Sequence, residues 1–254
     1  MKNNNVVVIS DLQMPFHSKA ALRNVISFIG DYQPSRVVQI GDLCDFPSPA
    51  RWNKGTKGEF EDGVIKHTKD AEVEFCAALR GVYSGRIDVT EGNHDLRPRE
   101  YLKKNAPALA ESNAFDLDVL MSFKDYGIGF VRDFIDLDGG WTATHGHLGF
   151  SLSRYAGGTA INAARKINRS VVIGHTHRIG VIGESKGYAG KGSTLWGFEV
   201  GHLMDIRKAH YLKSGYGNWQ MGFGVLEWNG KTYVPRPVFV NANGSFTFDG
   251  CEYK

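Results

Sequence analysis

The chain has 254 residues, 42% of them hydrophobic and 22% charged, with a formal net charge of +3. A chain of this size and ordinary composition folds on its own apolar core and needs neither a disulfide nor a structural metal to do so. Three scattered cysteines (Cys44, Cys76 and Cys251) make no zinc spacing and no disulfide framework, and the mild positive charge permits an anionic substrate without arguing for nucleic acid. The cysteine usage suits a reducing compartment. No run reaches the ~18 apolar residues of a membrane span, and the first five residues lead directly into a strand rather than into a signal-peptide core. The expectation is a cytoplasmic protein with no membrane partner.

In chain order, residues 6–10 (VVVIS) are a short β-branched run of the fully buried type, ending at Asp11-Leu12-Gln13. Ser18 is a candidate N-cap, and Leu22, Val25, Ile26 and Ile29 mark one face of a helix reaching about Tyr32. Residues 36–40 (RVVQI) form the next strand, ending at Gly41-Asp42-Leu43-Cys44-Asp45. A strand, helix and strand in succession imply a parallel pair. Residues 46–58 read as a loop and 59–81 as a helix. The strand 86–90 delivers Gly92-Asn93-His94-Asp95, and 97–105 and 107–122 read as two shorter helices.

Beyond Asp125 the pattern turns to short strands at 127–132, 134–137 and 141–144, the last ending at His145-Gly146-His147. A helix over 153–167 leads to the strand 170–173, which ends at Gly174-His175-Thr176-His177. Strands follow at 178–184, 193–200, 220–228, 231–240 and 246–248, with an Asn229-Gly230 turn between the third and fourth. There is no repeat and no linker, so residues 1–254 read as a single domain holding two sheets.

Five strands thus end in polar loops that carry Asp11, Asp42, Asn93 with His94, His145, and His175 with His177. In open α/β sheets ligands bind at the C-terminal strand edge, so groups distant in sequence converge there. Carboxylates, imidazoles and an amide are the donor set of borderline divalent metals such as manganese, iron and zinc. Two such ions can activate a water and clamp a phosphoryl group.

These loops, in this order, resemble the motifs of the calcineurin-like metallophosphoesterase superfamily. The matching stretches are Asp11-Leu12-Gln13, Gly41-Asp42-Leu43-Cys44-Asp45, Gly92-Asn93-His94-Asp95, His145-Gly146 and Gly174-His175-Thr176-His177, spanning about residues 6–180. The resemblance implies a four-layer α/β/β/α sandwich of two mixed sheets flanked by helices. It implies two divalent ions, manganese foremost, with iron, zinc, magnesium or nickel as substitutes. Asp42 would bridge them, Asp11 and His177 would hold the first, and Asn93, His145 and His175 the second. A hydroxide bridging the two ions would attack phosphorus. His94 would give a hydrogen bond or proton to the substrate, and Asp95 would orient His94. Gln13 departs from the pattern, standing where the superfamily usually has His. Its amide oxygen is a harder, weaker ligand, which favours manganese or magnesium over zinc at the first ion. His17 is a possible substitute ligand, and His147 a rival to His145. The Gln-bearing variant is similar to bacterial and phage members.

The expected substrate is a phosphate ester, with a diester, nucleotide or nucleic acid favoured over a monoester. Arg97 or Arg99 is placed to contact its phosphate. The loop with Arg51, Trp52, Lys54 and Lys57 interleaves cations with an aromatic, as single-strand binding requires. Tyr211, Tyr216 and Trp219 are candidates for the pocket rim. The superfamily also includes members that keep the fold as a scaffold, which sets a non-catalytic binding module as the rival reading. The oligomeric state is not legible.

Overall fold

A computed structural model describes residues 4–61, 63–208 and 217–254. The chain opens with β1 (Val6–Ile9), α1 (Lys19–Tyr32) and β2 (Arg36–Ile40). Next come α2 (Val64–Ala71), a π-helical turn (Glu72–Ala77) and α3 (Ala78–Val82), then β3 (Arg86–Thr90) and α4 (Arg97–Asn105). A four-residue α5 (Leu117–Leu120) precedes β4 (Gly129–Val131), β5 (Phe134–Leu137) and β6 (Trp141–Thr144). The remainder is α6 (Gly158–Ile167), β7 (Ser170–Ile173), β8 (Ile179–Tyr188), β9 (Lys191–Val200), β10 (Gly222–Trp228), β11 (Tyr233–Phe239), β12 (Phe246–Phe248) and β13 (Cys251–Tyr253).

The first sheet has the order β11-β10-β1-β2-β3-β4 and the second β5-β6-β7-β9-β8. Both are mixed, with parallel centres: β1, β2, β3 and β4 run parallel, as do β6, β7 and β9. The pleat explains the layering, because successive side chains of a strand point to opposite faces. Val7 and Ile9 of β1 join a core with α1 residues Leu22, Val25 and Ile29, while Val6 and Val8 join a second core with Trp141, Val172 and Phe198 of the other sheet. On β7, Val172 faces that same inter-sheet core, and Val171 and Ile173 pack under α6 with Ala160 and Ala164. Three cores separate four layers, α/β/β/α.

α1 starts where Ser18 Oγ accepts the Ala21 N–H, and it buries the face expected of it. Three helix expectations need correction. The helix expected from 153 begins only at Gly158. The helix expected over 59–81 begins only at Val64, after a 3-10 turn (Lys57–Glu59). The one expected over 107–122 is broken into 3-10 turns and α5, because Pro107, the Ser112 cap and the extended backbone at Asp116 restart the chain. The hairpin β12–β13, whose second strand the sequence pattern did not predict, stacks Tyr253 on Phe246 against α1 residue Phe28.

Candidate metal centre and its cleft

Three adjacent parallel strands, β1, β2 and β3, deliver Asp11, Asp42 and Asn93 at one edge of the first sheet. Adjacent β6 and β7 deliver His145 and His175 at the matching edge of the second. Backbone bonds join neighbouring loops: Gln13 N–H donates to Asp42 O at 2.9 Å, and Gly174 N–H to His145 O at 3.1 Å. Two more bonds cross between the sheets. His145 Nδ1 lies 2.9 Å from Ile40 O, and His175 N–H donates to Asp11 Oδ2 at 2.9 Å. In the first, His145 Nδ1 donates its proton to the carbonyl, which turns Nε2 inward.

Facing Nε2 are Asp42 Oδ2 at 3.3 Å and Asn93 Oδ1 at 3.2 Å. Donor atoms of Asp42, His145 and His175 all lie within 4.8 Å of one another. The second group lies beside the first. His177 Nε2 is 3.1 Å from Asp11 Oδ1 and 3.1 Å from Gln13 Nε2. Among the described residues, Asp11 Oδ1 and Gln13 Oε1 are buried without a hydrogen-bond partner. A buried carboxylate oxygen without a donor is costly, and a cation removes that cost. Convergent lone pairs and orphaned oxygens therefore fit the expected divalent ions. The Gln13 amide donates to His177 as placed, and a half-turn about its last torsion exchanges its nitrogen for its oxygen.

The backbone is bent to bring these groups in. Asp11, Gln13, Asp42, His175 and His177 all have φ between 50° and 64°. Non-glycine residues seldom adopt that left-handed region, and such strain gathers at functional sites. Two glycines give the clearance: a Cβ on Gly92 would overlap Asp42, and one on Gly174 would overlap Ser10 and Asp11.

Electrostatics follow from the packing. Burial disfavours charge on Asp42, but His145 and His94 outweigh it and hold its carboxyl well below the usual range. Burial likewise opposes charge on His145, and Asp42 reverses this, raising it to about 9. Burial, reinforced by His145, lowers His175. The same pair of causes lowers His147 to about 4. His147 stands with its ring 5.3 Å from that of His145 and 6.3 Å from that of His175, at the edge of the cluster. His17 does not join it. Its Nε2 pairs instead with Glu74 at 2.8 Å.

His94 lies over the cleft, its Nε2 3.7 Å from Asp42 Oδ2 and its backbone N–H donating to Asp42 Oδ1 at 2.8 Å. The carboxylate on its ring is Asp45, at 2.8 Å from Nδ1, and not Asp95. This corrects the expectation for Asp95. Asp95 is buried and accepts three backbone N–H groups, those of Cys44 at 2.9 Å, Gly92 at 2.9 Å and Leu43 at 3.3 Å. It ties the second loop to the third. Arg97 completes the His94 group: its Nη1 donates to Asp45 Oδ1 at 2.7 Å and its Nη2 lies 3.2 Å from His94 Nε2. Arg99 pairs instead with Glu91 and Asp116, away from this group.

Gln13, Asp42, His94, His175, His177 and Trp219 are among the residues lining a cleft of about 360 Å³. The Trp219 ring stands 4.4 Å from that of His177 and lines this cleft. Tyr211 and Tyr216 lie outside the described residues. The sequence reading also passed over Glu199. It is fully buried and accepts from the Thr159 N–H at 2.9 Å and the Thr176 hydroxyl at 2.8 Å, anchoring the His175–His177 loop.

The family model for calcineurin-like phosphoesterases matches residues 5–179. The chain belongs to that family. It is 44% identical over 247 residues to the Gene 54 protein of Mycobacterium phage D29, covering 96% of each chain. Its identity to the Gene 54 protein of Mycobacterium phage L5 is 43% over 247 residues, with the same coverage. Among solved structures it is similar to Vacuolar Protein Sorting 29 from Cryptosporidium parvum, at 15% identity and a TM-score of 0.48, covering 99% of this chain and 95% of that one. The family match covers all five polar loops. No helix among the described residues is long and apolar enough to cross a membrane.

Proposed function

We propose that this family member is a metal-dependent phosphoesterase that hydrolyses phosphate esters, diesters in preference to monoesters. When bound, two divalent ions, manganese foremost, would supply an activated water and a clamp on the phosphoryl oxygens. Asp11, Gln13 and His177 would hold one, Asn93, His145 and His175 the other, with Asp42 shared. The observation that carries the reading is His94. It sits in the cleft within 3.7 Å of Asp42, its Nδ1 against Asp45 and its Nε2 beside Arg97. A binding scaffold has no use for an imidazole so oriented, whereas ester cleavage needs a proton delivered to the leaving oxygen. Burial would lower the His94 pKa, but Asp42 and the Asp45 hydrogen bond outweigh burial and raise it. Arg97 brings a fixed positive charge to the same point, suited to a phosphate oxygen.

The test is hydrolysis of bis(p-nitrophenyl) phosphate with added manganese, by the wild type and by Asp42→Asn. The wild type turns over, and Asp42→Asn loses activity and bound metal while keeping its circular dichroism spectrum. Activity in Asp42→Asn equal to wild type, or none in the wild type with any divalent ion, overturns the reading.

A further inference from the structure

A second cavity, of about 380 Å³, opens beside the metal cleft along α4. The two share Trp52, His94 and Arg97, so a molecule lying in one reaches the other past the presumed proton donor. We infer that this second cavity is a subsite for the strand flanking the scissile bond, and that the substrate class is single-stranded nucleic acid; this rests on the phosphoesterase reading above.

The chemistry of the walls carries the inference. Arg51, Lys54, Arg97 and Lys104 line the cavity against one carboxylate, Glu100. Three of those cations, Arg51, Lys54 and Lys104, are exposed and separate from the catalytic groups. Between them stand two aromatic rings. Trp52 keeps 59% of its surface exposed, with the guanidinium groups of Arg97 and Arg51 at 4.8 and 5.6 Å from its ring. Tyr101 is anchored through its hydroxyl, which donates to Glu59 at 2.5 Å. Cations that follow a phosphate backbone, interleaved with rings that accept any base face, are what an unpaired strand requires. A small monoester would leave these rings unused. The volume lies in the range of small-ligand pockets, about 300–1,000 Å³, so it suits a nucleotide unit next to the cleaved one. Trp52 links the two cavities energetically as well, since a base stacked on it packs against the ring that braces Arg97.

The experiment measures binding and turnover separately. A fluorescently labelled ten-residue oligothymidylate is titrated by anisotropy into the full-length wild type in chelator, where no turnover occurs, across a salt series. Binding with a log–log salt slope of about −2 is expected, each phosphate contact of a single strand giving about −0.7. The Lys54→Ala/Lys104→Ala variant shrinks that slope by about 1.4. Trp52→Ala weakens binding at least fivefold, and Trp52→Phe restores most of it. With manganese, the oligonucleotide kcat/KM of these variants falls further than that for bis(p-nitrophenyl) phosphate. The subsite is overturned if the wild type hydrolyses the small diester but does not bind the strand. It is equally overturned if both substrates lose activity by the same factor, or if thymidine monophosphate competes as well as the oligomer. Strand binding without hydrolysis of either substrate supports the subsite and overturns the phosphoesterase reading instead.

Discussion

Asp95 offers a sharp test, because its carboxylate holds backbone while its neighbour His94 faces the cleft. Replacing it with alanine removes the acceptor for three backbone N–H groups. Two of those bonds are short, at 2.9 Å from Cys44 and 2.9 Å from Gly92, and the third, from Leu43, is longer at 3.3 Å. A hydrogen bond to a charged group contributes about 1.5–3 kcal/mol, and a stranded buried donor costs a similar amount. The two short bonds together therefore put the loss at about 3–6 kcal/mol. One effect works the other way: burial, and then repulsion from Asp42, raise the Asp95 pKa to about 7, so removing it relieves crowding of negative charge. That relief brings the expected net loss for Asp95→Ala below the gross figure, to about 2–4 kcal/mol, a large share of the ~5–15 kcal/mol that holds a typical domain. Asp95→Asn keeps one accepting oxygen and is expected to lose about 1–2 kcal/mol. Urea unfolding in chelator, followed by tryptophan fluorescence, reads both. An Asp95→Ala variant within about 1 kcal/mol of wild type would refute the assignment of Asp95 as the tie between loops.

Asp45→Asn should lower kcat on bis(p-nitrophenyl) phosphate about 10–100-fold while leaving metal content unchanged, as is usual for a partner of a site imidazole; an unaltered kcat would detach Asp45 from His94. Gln13→His, supplying imidazole where the chain has an amide, should raise zinc retained after dialysis, measured by elemental analysis, and equal retention would count against Gln13 as a ligand. Manganese at a hundred times its dissociation constant should stabilise the chain by about 2.7 kcal/mol, seen as a higher melting temperature that Asp42→Asn does not show.

The strands were legible because buried parallel strands are short apolar runs cut off by polar loops. The expected bounds 86–90, 134–137, 141–144 and 170–173 coincide with β3, β5, β6 and β7. The metal-site candidates were legible for the same reason, since each followed a strand end and the sheet order then brought them together. Orientation was not. Asp95 is adjacent to His94 in sequence, but the turn sends its carboxylate inward to the backbone, while Asp45 arrives from the neighbouring loop. The spacing Asp42-x-x-Asp45 carried a signal for a second acidic role without saying which imidazole it served. The strand β13 escaped although Asp249-Gly250 is a turn pair, because three residues are too few to show a period.

The bonds from His145 to Ile40 and from His175 to Asp11 cross from one sheet to the other, so the candidate metal donors belong to two separate slabs held face to face. Their spacing is set by the filling between the slabs, where Trp141 and Phe198 are fully buried and the Trp141 indole N–H donates to Tyr233 O at 3.2 Å. A close-packed interior transmits changes in volume as displacement. Truncating Phe198 would let the slabs slide and pull Asp42 and His145 out of register. If the proposed ions bind there, their affinity would gauge how well the two sheets are shimmed.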